Sequence, residues 1–221
     1  MIKLLSERTK KTIINGNCGK IEALYTKSEQ LNSYASHYAI ICHPHPLHGG
    51  SMNNKVVTTI AKSLDQLGIS TLRFNFRGVG NSEGEFDNTI GEYEDLLAAH
   101  NWMQNKFPEN PCILAGFSFG SYICCKAAST INPSALITVA PAVVSQDYGP
   151  YPKYNGAWHL IQGDKDEITD PNAVTTWAKQ KKPTPNIISI TGAGHFFHGK
   201  LHELELQLTE NIGTTLKAQS I

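Results

Sequence analysis

A serine with glycines two positions away on either side, Gly116-Phe-Ser118-Phe-Gly120, follows the apolar run Cys112–Ala115 and precedes the helix-compatible run Ser121–Ala128. Strand, sharp turn and helix in that order are what a nucleophile elbow requires. The turn forces the serine into a strained backbone conformation, and only glycine at the flanking positions lets strand and helix approach so closely. Ser118 is then expected at a helix N-terminus, where unpaired amides favour negative charge. The bland alternative is an inert N-capping serine.

A serine hydroxyl attacks only if a base takes its proton, and the base needs a carboxylate to orient it. Of the nine histidines, His195 stands in Thr191-Gly-Ala-Gly-His195-Phe-Phe-His198-Gly, after the last predicted strand and before the last helix. It is the expected base, with His198 as competitor; His37, His100, His159 and His202 read as surface or internally satisfied. The turn Gln162-Gly-Asp164-Lys-Asp166-Glu167 also follows a predicted strand. Asp166 fits the chain order serine, aspartate, histidine, with Asp164 and Glu167 as alternatives and a solvated acidic turn as the inert reading.

An oxyanion intermediate needs two or more preset donors. One is the amide of Phe119, directly after the serine. The other must come from the loop after Tyr38–Cys42, where Pro44 and Pro46 carry no N–H, which leaves His45 and Leu47 both open. The imidazoles of His43, His45 and His48 in this loop also suggest a zinc site. No cysteine pair or carboxylate lies nearby to complete a ligand set, so a rigid loop and no metal are expected. Arg77-Gly-Val-Gly80 lacks the third glycine of a phosphate loop and does not open directly into a helix, so it reads as a tight turn beside the site. Trp102, Leu96 and Leu97 read as core.

Positioning these residues is the task of alternating elements. Strands are predicted over Thr12–Asn15 and Lys20–Thr26, joined by a turn-rich cluster as a hairpin, then over Tyr38–Cys42, Ser70–Phe74, Cys112–Phe117, Ala135–Ala140, Ala157–Gln162 and Asn186–Ile190. Helices are predicted over Asn54–Leu67, Ile90–Phe107, Ser118–Thr130, Pro171–Lys181 and Lys200–Lys217, with apolar residues such as Val57, Ile60 and Leu64 at helical spacing. Such alternation predicts an α/β fold: a mostly parallel central sheet of about seven to eight strands with helices on both faces. The one long connection, Pro141 to Gly156, is rich in Tyr, Pro and Gly, and is too short to fold alone.

The chain has 221 residues, 40% of them hydrophobic, which suits a single domain over 1–221 with a sizeable core. Lys plus Arg and Asp plus Glu each number 19, for a net charge of zero. No global field draws the chain to nucleic acid or anionic lipid. No apolar run approaches the roughly 20 residues that cross a bilayer, and Met1–Thr12 lacks the apolar stretch of a secretory signal, so a cytoplasmic location is expected. Five cysteines without regular spacing indicate buried thiols rather than a disulfide framework.

The elbow, the Gly163-x-x-Asp166 turn and Gly194-His195 together resemble the α/β-hydrolase superfamily over nearly the whole chain. More narrowly, Cys42-His-Pro-His-Pro-Leu-His-Gly-Gly-Ser-Met-Asn-Asn-Lys-Val-Val57, Arg73-Phe-Asn-Phe-Arg-Gly-Val-Gly-Asn-Ser82 and Gly194-His-Phe-Phe-His-Gly199 resemble small bacterial serine hydrolases without a large lid or cap, carboxylesterase-like or dienelactone-hydrolase-like. The resemblance implies Ser118 as nucleophile, Asp166 as orienter and His195 as base. True dienelactone hydrolases carry a cysteine nucleophile, so Ser118 favours an esterase. The expected activity is cofactor-independent cleavage of small-molecule esters or thioesters of short to medium acyl groups, with Phe117, Tyr148 and Phe196 in the substrate pocket wall. An acyl thioesterase, a small peptidase and a non-catalytic binding protein on the same fold are the alternatives. The helices show no seam from which to argue an oligomeric state.

Overall fold

The computed structural model describes residues 8–29 and 36–219. Its strands form one eight-stranded sheet in the order β1-β2-β4-β3-β5-β6-β7-β8. β1 (Thr9–Gly16) and β2 (Gly19–Thr26) are the predicted hairpin, closed at Gly16 and Gly19 around Asn17 and Cys18. β1 starts earlier than its apolar alternation suggested, at Thr9. It is an edge strand, and exposed Lys10 and Lys11 discourage a further strand from adding to it. β2 runs antiparallel to β4 (Ser70–Phe74). From there β3 (Tyr38–Cys42), β5 (Cys112–Phe117), β6 (Ala135–Val139), β7 (Ala157–Gly163) and β8 (Asn186–Ile190) are all parallel.

Every residue of β3, β5 and β6 is buried, as expected of parallel strands covered on both faces. Successive side chains alternate between two cores. On one face Ile41, Ala115 and Ile137 meet Val57, Ile60 and Leu64 of α1 (Lys55–Gln66) and Leu204, Leu208 and Ile212 of α5 (Leu201–Gln219). On the other, Ile40, Leu114 and Leu136 meet Leu96, Ala99 and Met103 of α2 (Ile90–Lys106) and Tyr122 and Ile123 of α3 (Phe119–Ile131). Each such aliphatic side chain stabilises the fold by about 1.5–3 kcal/mol relative to exposure. α4 (Pro171–Lys179) starts with Pro171 after Asp170, whose side chain accepts from Asn172 N, a sequence-legible cap. Among the described residues no helix is long and apolar enough to cross a membrane.

This strand order creates the site. From β3 the chain passes through α1 to β4 on one side, then through α2 to β5 on the other side of β3. The loops leaving the carboxyl ends of β3 and β5 therefore diverge, and a crevice opens between them. The 141–156 connection does not cover it. Tyr148 packs into the α3–α4 side, its ring 5.1 Å from Tyr122 and 4.6 Å from Trp177, and Lys181 Nζ donates to Gly149 O at 2.9 Å.

Candidate active site

Ser118 sits between β5 and α3 with φ 54° and ψ −116°, the strained turn that its flanking glycines imply. A Cβ on Gly116 would strike the Gly120 carbonyl, and one on Gly120 would strike the Cys42 carbonyl. The turn is held from below: Ser118 N donates to Val139 O at 2.9 Å, and Ser121 Oγ donates to Gly116 O at 2.7 Å. The Ser118 hydroxyl faces a small cleft of about 160 Å³.

The structure brings Ser118, His195 and Asp166 together. His195 Nε2 lies 3.1 Å from Ser118 Oγ, and its Nδ1 lies 2.9 Å from Asp166 Oδ2. Asp166 Oδ1 accepts from the amides of Ile168 and Thr169 at 2.9 and 2.7 Å. Burial pushes this carboxyl up, but the hydrogen bonds from His195, Thr169 and Ile168 outweigh it and hold the group below the usual carboxylate range. With Asp166 ionised, Nδ1 of His195 is the protonated nitrogen and Nε2 is free to accept from the serine.

Two neighbours of Asp166 that the sequence offered as alternatives have other partners. Asp164 Oδ1 accepts from Gly192 N at 2.7 Å, and Glu167 Oε2 accepts from His195 N at 3.1 Å. His198, the competing base, is exposed and does not line the cleft. Sequence reasoning missed Gln162, whose buried amide donates to Asp166 Oδ2 at 2.8 Å. Its place at the end of β7, four residues before the aspartate, was the available signal.

The loop after β3 is built around His43. This fully buried side chain has Nδ1 2.6 Å from Pro44 O and accepts from Phe76 N through Nε2 at 3.0 Å. With both nitrogens engaged by backbone, it has none to offer a metal. Burial pushes its pKa down to about 4. His45 caps a short 3₁₀ turn, Pro46–His48, that the sequence did not reveal. Leu47 N donates back to His45 Nδ1 at 3.2 Å, and the Leu47 side chain is exposed outside the cleft. His45 lines the cleft, and its backbone N–H has no acceptor among the described residues. Phe119 N–H is a first-turn helix amide of the kind a helix leaves unpaired. The rest of the loop is pinned from both sides: Met52 N donates to Asn75 Oδ1 at 2.8 Å, and Arg73 Nη1 donates to Met52 O at 2.7 Å.

The expected pocket wall needs two corrections. Phe117 is fully buried, because Ile113, Ala115 and Phe117 share one strand face; it lies in the core with its ring 5.1 Å from that of His195. Tyr148 is buried at 3% exposure among Tyr122 and Trp177, away from the cleft. Phe196 is at the cleft, 36% exposed, and Ile168 stands beside it at 55%. Arg77-Gly-Val-Gly80 is a turn anchored by a buried ion pair: Arg77 Nη2 donates to Asp95 Oδ1 at 2.9 Å.

Comparison with known proteins agrees with this architecture. A protein-family model described as serine aminopeptidase, S33 matches residues 45–161. An uncharacterized protein of Rickettsia prowazekii is 34% identical over 217 residues, 90% of this chain and 87% of that one. Among solved structures, an α/β serine hydrolase without lid from Xanthomonas campestris is 37% identical, covers 96% of each chain and superposes with a TM-score of 0.90. An α/β serine hydrolase homologue from Coxiella burnetii is 44% identical over 91% of this chain and 96% of that one, with a TM-score of 0.88. The chain belongs to the α/β-hydrolase superfamily, in the serine hydrolase family described as serine aminopeptidase, S33.

Proposed function

We propose that this protein is a serine esterase that cleaves small carboxylic esters of short to medium acyl groups. The observation that carries the reading is the relay Asp166 Oδ2–His195 Nδ1 at 2.9 Å and His195 Nε2–Ser118 Oγ at 3.1 Å, opening on an uncovered cleft. Ser118 Oγ attacks the ester carbonyl while its proton passes to His195 Nε2. The imidazolium is held by Asp166, and the carbonyl oxygen, now an oxyanion, takes hydrogen bonds from the amides of Phe119 and His45. The same Nε2 proton then goes to the departing alkoxide, releasing the alcohol. Water, deprotonated by His195, attacks the acyl-enzyme; the acid leaves and the serine regains its proton.

Because Nε2 protonates the leaving group, the alcohol lies on the His195 side of the cleft, beside Phe196 and Ile168. The acyl group takes the opposite side, bounded by His48, Gly49, Gly50 and Asn54. That wall is close and polar, which favours short acyl chains. An aminopeptidase needs a carboxylate to hold the substrate's ammonium group, and none of the residues lining this cleft is acidic, so an ester fits better than a peptide.

Initial rates on a panel of acyl esters and thioesters of graded length test the proposal. Short-chain esters are expected to be hydrolysed fastest, and Ser118→Ala to reduce the rate by about four orders of magnitude or more. Asp166→Asn should lower kcat by about 10⁴, as expected when the imidazole loses its tautomer, and Asp164→Asn by less than about tenfold. Unchanged turnover in Ser118→Ala would overturn the mechanism. A rate that rises with acyl length, or a preference for thioesters, would overturn the substrate class and leave the serine chemistry standing.

A further inference from the structure

The sheet face beside α1, far along the chain from the elbow, carries a row of hydroxyls. Thr9 is paired with Thr26 across β1 and β2, and Thr26 with Thr71 across β2 and β4. The three threonines therefore stand side by side at the roughly 4.8 Å spacing of neighbouring strands, with the hydroxyls of Thr9 and Thr26 hydrogen-bonded to each other at 2.9 Å. Arg73 follows Thr71 by two residues and projects from the same face of β4. With Lys62 of α1 they line a groove of about 180 Å³, in which Asp65 is the one acidic lining residue among the described residues.

The charges in this groove are unevenly satisfied. Arg8 binds Asp65 through two hydrogen bonds of 2.9 and 3.0 Å, and Lys62 pairs with Glu205 at 2.9 Å. Among the described residues Arg73 has no carboxylate partner. Its Nη1 donates to Met52 O, and its Nε is buried with no acceptor. Burial alone acts on its pKa, lowering it, with no carboxylate to hold it up. A largely buried guanidinium without a counter-ion among the described residues is costly, and here it borders threonine hydroxyls and a second cation.

We propose that this groove is a binding site for a phosphate group, seated between the Thr9–Thr26–Thr71 row and the Arg73 guanidinium, with Lys62 at its mouth. Arginine's planar fork of donors matches phosphate oxygens. A tetrahedral oxyanion can also be met from the sheet and from the guanidinium at once, where a carboxylate has only two oxygens to share. The groove shares no lining residue with the Ser118 cleft, and the proposal does not rest on the proposed hydrolase activity.

The test is calorimetric titration of the whole protein with inorganic phosphate, glycerol phosphate and acetate, against chloride at equal ionic strength. Saturable phosphate binding is expected, weakened at least about tenfold by Arg73→Gln, weakened about threefold by Lys62→Gln or Thr71→Val, and unchanged in Ser118→Ala. Tighter binding of inorganic phosphate supports the free ion as ligand, and tighter binding of glycerol phosphate a phosphate ester. Arg73 also anchors Met52, so Lys62→Gln and Thr71→Val decide the matter if Arg73→Gln does not fold. Phosphate behaving like chloride, acetate binding as tightly as phosphate, or wild-type affinity in these variants overturns the proposal.

Discussion

Three acidic side chains in one turn bind three different atoms of the histidine loop: Asp164 the Gly192 amide, Asp166 the His195 ring, and Glu167 the His195 amide. The loop is thus fixed in backbone and side chain together. His43 plays a comparable part in the loop after β3, and its environment has a pH consequence. Unfolded, its imidazole takes a proton as pH falls below the ordinary 6.5; folded, it does so only near 4. Stability is therefore complete above about pH 6.5, declines through the interval down to about 4, and changes no further from this group below that, by about 3 kcal/mol in all. Urea unfolding from pH 7 to 4 should show that decline in the native protein, and a correspondingly shallower one in His43→Gln, which starts less stable at pH 7. At this scale the sequence was readable where one residue type at one spacing does the work: Ser118 between glycines, His195 after a strand, Asp166 in chain order. Gln162, Asn75 and Arg77 were not readable as partners, because their roles depend on which side chains tertiary packing brings within 3 Å.

The elements were more legible than their ends. The eight strands and five helices of the described residues match predicted elements, most plainly β3, β5 and β6, because strands buried on both faces demand uninterrupted hydrophobic runs. The 3₁₀ turn at Pro46–His48 is not visible in the sequence, where the prolines suggest only extended backbone. That Phe117 and Tyr148 lie away from the cleft is not visible there for a related reason: proximity to the serine in sequence, or membership of a loop, says nothing about which way an aromatic ring points. Strand parity does, since Ile113, Ala115 and Phe117 share a face. The junction of β5 and α3 tolerates little change. In Gly120→Ala the new methyl would meet the Cys42 carbonyl, a backbone group that cannot rotate away, so β3 and α3 must separate. A loss of about 3 kcal/mol is expected, read as a lowered urea midpoint with the slope unchanged.

Across the whole molecule, the proposed catalysis depends on loops from the carboxyl ends of β3, β5, β7 and β8 meeting at one crevice, with the 141–156 connection fastened to the α3–α4 side instead of across it. A cleft that no described segment covers has no reason to wait for an apolar surface. Rates on a sparingly soluble ester should therefore rise hyperbolically through the substrate's solubility limit, and a sudden jump there would show that some segment does close over the site. The serine and its base also come from distant stretches of chain. At a synthesis rate of about 5–20 residues per second, the 77 positions separating Ser118 from His195 take about 4–15 s to make. For that interval every growing chain carries an elbow serine with no imidazole to deprotonate it. On the proposed mechanism a polypeptide still on the ribosome is thereby kept from attacking esters around it, and competence arrives only when the loop after β8 has docked.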